Sequence, residues 1–213
     1  MPSYDDHQSA PIDHDRIRRI LGLQLADRAA WDQPPRLHVI SEDADGVYRL
    51  EEDLNLTTLL AAASRVSGLQ RLQLELCADS IYRYTRAYPG DALTGPGFRG
   101  IAHEHEAWST GNGLDLFANP DRYTPEQLRR EGERNMAQFA RYQGRQEQNP
   151  DRVEVALIIA VTVDQTVHWG HWERGTQQPF LQYFAKGSTS GVFGEIQVQV
   201  RRLTRIFARH TGQ

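Results

Sequence analysis

The stretch Arg152-Val153-Glu154-Val155-Ala156-Leu157-Ile158-Ile159-Ala160-Val161-Thr162-Val163-Asp164-Gln165-Thr166-Val167-His168-Trp169-Gly170-His171-Trp172-Glu173-Arg174 decides the fold. Val153 to Val163 is the most apolar part of the chain, and it is rich in β-branched residues. A strand buried on both faces reads as such a continuous run, so this segment is expected at the centre of a sheet. Asp164-Gln165 supplies a turn, and Val167 to Arg174 should return antiparallel beside it.

Working outward toward the C-terminus, Gly175 to Ser190 reads as a loop. Phe193, Ile196, Val200, Leu203 and Phe207 then recur at steps of three and four, which specifies a helical stripe. The alternation of Ile196, Val198 and Val200 covers only five residues, so the helix takes precedence. Its outer face carries Arg201, Arg202, Arg205 and Arg209, which reads as a solvated helix face. The core should form between this stripe and Val155, Leu157, Ile159 and Val161, or their alternates on the opposite face.

Toward the N-terminus, Thr124-Pro125-Glu126-Gln127 combines a cap, a first-turn proline and a capping box, so a long helix is expected to start there. Its apolar positions Leu128, Met136, Phe139 and Tyr142 are sparse enough to suggest a surface helix with one narrow packed face. Phe98 to Ser109 looks extended, and Thr110 to Tyr123 reads as a loop. Leu69, Leu72 and Leu76 share a helical face, against a short alternation of Leu74 and Leu76, and a helix to about Tyr88 is preferred. Leu56 to Val66 is a second helix. Leu37 to Ile40 and Val47 to Leu50 form a hairpin across a turn containing Asp45-Gly46. Asp13 caps a first helix with Ile17, Ile20, Leu21 and Leu25 on one face, and Pro34-Pro35 stop it. Residues 1–12 form a polar leader, and 13–213 form one α+β domain: a mainly antiparallel sheet of four to five strands packed against amphipathic helices.

Composition agrees with one domain. The chain has 213 residues, 39% of them hydrophobic, with four Trp, eight Tyr and seven Phe, enough apolar material for a core. A formal charge of −4 gives no general electrostatic reason to expect nucleic acid, which needs clustered positive charge. Cys77 is the single cysteine, so neither an intrachain disulfide nor a cysteine-based zinc site can form. No signal-peptide pattern and no run of about 18 apolar residues is present, so the expected location is the cytoplasm or a particle assembled there, with no membrane partner. Lys186 is the only lysine among many arginines, which suggests a GC-rich genome.

The sharpest local motif is His103-Glu104-His105-Glu106. In a strand, His103 and His105 project from one face and Glu104 and Glu106 from the other, so two imidazoles could reach one divalent metal such as zinc. A second pair lies at His168 and His171. If the two strands are neighbours, His103, His105 and one of His168 or His171 could converge. The bland alternative is a set of histidines on the solvent side of an open sheet. Trp108, Trp169 and Trp172 are candidate interaction or ligand-stacking residues, set against a core or interface role. P-loop, dinucleotide and serine-hydrolase motifs are absent, and Cys77 reads as a structural thiol rather than a nucleophile.

Gly100-Ile101-Ala102 through Glu106-Ala107-Trp108, followed by a helix and then Asn149-Pro150-Asp151-Arg152-Val153-Glu154-Val155 leading into an apolar strand, resembles a pattern in uncharacterised small α/β proteins of actinobacteria and their phages. The resemblance covers roughly residues 98–175. It implies no activity and no catalytic residue. These features lead to an expected non-enzymatic accessory or protein-interaction domain, from a phage or mobile element of a GC-rich bacterium, with a protein partner or self-association and no cofactor. A histidine-dependent metal-binding protein or metallohydrolase using His103 and His105 is the first alternative, and a small-ligand-binding domain the second.

Overall fold

In a computed structural model, the chain forms an α+β domain built on one antiparallel sheet. The structure describes residues 11–27, 31–67, 70–91, 93–95, 97–110, 122–142, 145, 148–176, 179–184 and 194–210, with the side chains of 108–110, 135, 136, 139 and 182–184 excepted. The elements run α1 His14–Ala26, β1 Arg36–Glu42, β2 Tyr48–Glu52, α2 Leu54–Ser64, α3 Gln70–Ala87, β3 Phe98–Thr110, α4 Pro125–Arg141, β4 Arg152–Thr162, β5 Val167–Glu173, β6 Phe180–Phe184 and α5 Gly194–His210. Apart from Pro11 and Ile12, the expected leader lies outside the described residues.

The six strands stand in the order β2-β1-β3-β4-β5-β6. β4 sits inside the sheet, paired with β3 from Gly100↔Thr162 to Thr110↔Arg152 and with β5 from Val155↔Glu173 to Val161↔Val167. Ala156 to Val161 are all buried, which is why the strand reads as an unbroken apolar run rather than an alternating one. The β4–β5 turn is tied by Asp164, whose carboxylate accepts from Thr162 Oγ1 at 2.5 Å and from Thr166 N and Oγ1, each at 3.1 Å. Gln165 takes a positive φ of 72° there.

One correction concerns strand number. Phe180–Phe184 falls in the stretch expected to be a loop, yet it pairs antiparallel with β5, from Val167↔Phe184 to His171↔Phe180. Among the described residues the sheet has six strands rather than four to five. Phe, Leu, Tyr and Phe in five residues are a strand-forming composition, and the glycine- and serine-rich stretch that follows hid it.

The two sheet faces are covered differently. Leu37, Ile101, Val155, Leu157, Ile159, Val161 and Trp169 face α2, α3 and α5, which contribute Leu60, Leu74, Ile81, Val200, Leu203 and Phe207 among others. Each such side chain taken out of water contributes about 1.5–3 kcal/mol before chain entropy is charged against it. On the other face, Ala102, Ala156, Ile158 and Ala160 meet α1 through Ile17, Leu21 and Leu25. The small residues are what let a helix lie close: a Cβ at Gly170 would come within 2.5 Å of Leu181 and 3.1 Å of Leu25.

Local signals explain the helix ends. Asp13 caps α1 by accepting from Asp15 N and Arg16 N, Asp53 caps α2 through Asn55 N and Leu56 N, and Thr124 with Gln127 closes the capping box of α4. Gly97 has φ +92°, and its missing Cβ leaves room for Glu42, whose N–H donates to Gly97 O at 2.8 Å.

Candidate functional site

β3 presents His103 and His105 on the face covered by α2, α3 and α5, their rings stacked with centroids 4.8 Å apart. His103 Nε2 lies 3.0 Å from Gln70 Oε1, at the first residue of α3, and the ring is fully buried. Burial holds its pKa well below the usual imidazole value, with a further push from His105. On β5, Trp169 and His171 project from the same face, 5.0 Å apart between ring centroids, and both pack on Phe180. Burial lowers the pKa of His171 to about 4.

The two histidine strands are not neighbours. β4 runs between them, so His105 and His171 stand on either side of Leu157 in one cross-strand row. The most apolar strand takes the central place because both of its faces are buried. Among the described residues, no group of three or more His, Cys, Asp or Glu is arranged to hold a metal ion. The histidines also do not lie on the solvent side of an open sheet: His103, His105, His168 and His171 are all buried.

His168 projects from the opposite face, toward α1. Its Nε2 lies 3.2 Å from His14 Nδ1, and His14 Nε2 lies 3.1 Å from Asp164 Oδ2. An ionised carboxylate can only accept, so His14 donates through Nε2, and its Nδ1 then accepts from His168 when His14 is neutral. The result is a line of polar contacts from the half-exposed β4–β5 turn to a fully buried imidazole. Burial, and then the neighbouring His14, lower the pKa of His168 to about 4. Burial alone would raise the Asp164 pKa, but the Thr162 and Thr166 hydrogen bonds and His14 outweigh it and leave the pKa lowered.

At the other end of α1, Glu104 Oε2 is 3.0 Å from His38 Nε2 and accepts from Gln24 Nε2 at 3.1 Å, with His38 and Glu104 both buried. Glu106 accepts from the backbone N–H groups of Asp32 and Gln33, at 2.8 and 3.0 Å, pinning the chain that leaves α1. The alternation of the motif is therefore used in full: imidazoles toward three helices, carboxylates toward one. These contacts anchor both ends of α1 to the sheet.

The tryptophans divide as well. Trp169 is core. Trp172 is half-buried beside Trp31, with ring centroids 6.1 Å apart, and its Nε1 donates to Thr176 O at 3.0 Å. Trp108 is paired with Glu154 in the sheet, and its side chain lies outside the described residues. Cys77 is buried in the core and its thiol is pushed up to about 12, chiefly by burial, so it is not a nucleophile at neutral pH.

Open space lies elsewhere. Two adjoining pockets, of about 540 and 410 Å³, share Asp53, Asn55 and Leu93 and form a furrow beside the N-terminus of α2. Leu56, Leu59, Ile81, Leu93, Phe98 and Phe207 give it an apolar lining, and Glu51, Glu52 and Asp53 lie along it. Tyr84, half-exposed, stands at one end with its hydroxyl donating to Asp91 at 2.6 Å and its ring 4.9 Å from Tyr88. The hydrogen bond to Asp91, with some burial, raises the tyrosine pKa.

Sequence reasoning named none of the furrow residues as a site, and it did not single out His14, Gln24, His38 or Asp164. Their signal is spatial: His14 and His168 are 154 positions apart, and no spacing rule joins them. No protein-family model, no curated protein and no solved structure matches the chain. Among the described residues, no helix is long and apolar enough to cross a membrane.

Proposed function

We propose that the chain is a non-enzymatic docking domain that takes a segment of a partner polypeptide into the furrow beside α2 and α3. The observation that carries this reading is the contrast in access. Of the candidate groups named from the sequence, His103, His168, His171 and Cys77 are buried and held toward their neutral forms. The furrow instead opens large apolar side chains to the outside, with Leu54 72% exposed on the first turn of α2 and Tyr84 43% exposed on α3. Tyrosine beside aliphatic pockets is a composition enriched where proteins anchor one another.

A photo-crosslinking residue placed at Leu54 or Tyr84 is expected to capture one and the same polypeptide in the source cell. The same residue at Val66, exposed at the far end of α2, should not. Absence of a crosslink at the two furrow positions, or equal capture at Val66, overturns the reading.

A further inference from the structure

The charge along the furrow has one sign. Among the described residues, the charged ones lining the two pockets are all acidic, Glu51, Glu52 and Asp53. This triplet closes the acidic run that begins at Glu42, and it turns the corner from β2 into α2. Glu51 stands opposite Val39 in the β1–β2 register, and a register pair projects from one face of the sheet. Its carboxylate therefore rises beside the apolar lining rather than on the reverse side. Glu52 stands opposite His38 in the same register, so its carboxylate leaves the reverse face, where it pairs with Arg36 Nε at 3.9 Å and adds nothing to this border. Asp53 uses Oδ1 for the α2 cap, accepting from Asn55 N at 2.9 Å and Leu56 N at 3.0 Å, and it retains its second oxygen.

An apolar trough bordered by the carboxylates of Glu51 and Asp53 is complementary to a segment that carries both large apolar side chains and positive charge. Resting on the docking reading above, we infer that the furrow receives a basic segment of a partner protein. Its apolar side chains would enter between Leu56, Leu59, Ile81 and Leu93, and its Lys or Arg residues would lie against Glu51 and Asp53. The same sign of charge disfavours a nucleic-acid or phosphorylated occupant, since phosphate would meet carboxylates. Each ion pair at such an exposed rim adds little affinity. Together they set which partner is taken and how fast it arrives, while the apolar contacts hold it.

Three fluorescein-labelled peptides of about 12 residues test this on the full chain by fluorescence anisotropy: alternating blocks of Leu with Lys, with Gln and with Glu. The Leu/Lys peptide is expected to bind about tenfold more tightly than Leu/Gln at low salt, and Leu/Glu more weakly than either. The variant Glu51→Lys should erase or reverse that order, and Glu51→Gln should flatten it. Glu51 is exposed on an edge strand, so a thermal melt of each variant checks that the fold is kept. Equal binding of the three peptides, or an order unchanged in both variants, overturns the charge inference. If crosslinking at Leu54 and Tyr84 then still captures one partner, the docking reading stands without its charge component. If neither peptide binding nor crosslinking is seen, both fall.

Discussion

The two faces of the sheet solve the same burial problem by opposite means. On one face, three helices bring branched aliphatic and aromatic side chains onto Leu157, Ile159 and Val161, and bulk does the work. On the other, a single helix lies on Ala102, Ala156, Ala160 and Gly170, and close approach replaces bulk. One helix cannot cover a six-stranded face with apolar contact alone. Polar contacts at its two ends, His14 with His168 and Asp164, and Gln24 with Glu104 and His38, define where it sits. The histidine- and glutamate-rich strand lies between these unlike layers, its imidazoles at 103 and 105 toward three helices and its carboxylates toward the side of one.

The sharpest way to break the comparison is to change volume on each side. Leu157→Ala should cost about 2–5 kcal/mol, because a fully buried side chain against three helices leaves a cavity that its neighbours fill poorly. Ala160→Leu should cost about 1–3 kcal/mol by overpacking. Its signature differs: hydrogen exchange should show α1 amides losing protection while those of α5 keep theirs. Equal loss in both helices would contradict the two-layer account.

Acid sharpens it next. His103, His168 and His171 have pKa values pushed below the ordinary imidazole value, His168 and His171 to about 4. The unfolded chain therefore binds more protons than the folded one below about pH 6.5. Stability should be full above that value and fall steadily as pH drops toward 4, with His103 extending the loss lower. Urea unfolding at about pH 7.5, 5.5 and 4.5 measures it, and a flat profile between the first two would contradict the burial of these rings. The smallest effect belongs to His14→Ala. Removing the partly exposed link between Asp164 and His168 should cost about 1 kcal/mol and fray the first turn of α1, read by exchange at Ile17 and Arg18.

Much of this arrangement was legible in the residues. The β4–β5 hairpin announced itself because a strand buried twice has no polar positions, and α5 because its stripe persists through four turns. The preference for a helix over a brief alternation is met by α3, 18 residues long, but its buried face runs through Leu74, Cys77, Ala78 and Ile81, Leu76 is exposed, and Leu69 lies outside the described residues. Alternation along β3 correctly separated His103 and His105 from Glu104. What could not be read was lateral order. The chain between β3 and β4 passes through α4, and nothing local says that β4 returns beside β3 and so keeps the histidines of β3 and β5 apart. The furrow was equally silent, since Leu93 and Phe207 meet only after the sheet and its helices are assembled.

The seat of α1 has a consequence for the order in which the molecule can be made. The helix leaves the ribosome ahead of every strand, yet the residues it rests on include Ala156, Gly170 and Leu181, synthesised well over a hundred residues later. Until those arrive, Ile17, Leu21 and Leu25 can meet only the part of their seat made early, Ile40, Tyr48 and Ala102. Contacts between such distant positions form late and slowly. The seat of α1 is therefore complete only once β4, β5 and β6 have been made, and its apolar stripe is only partly sheltered until then.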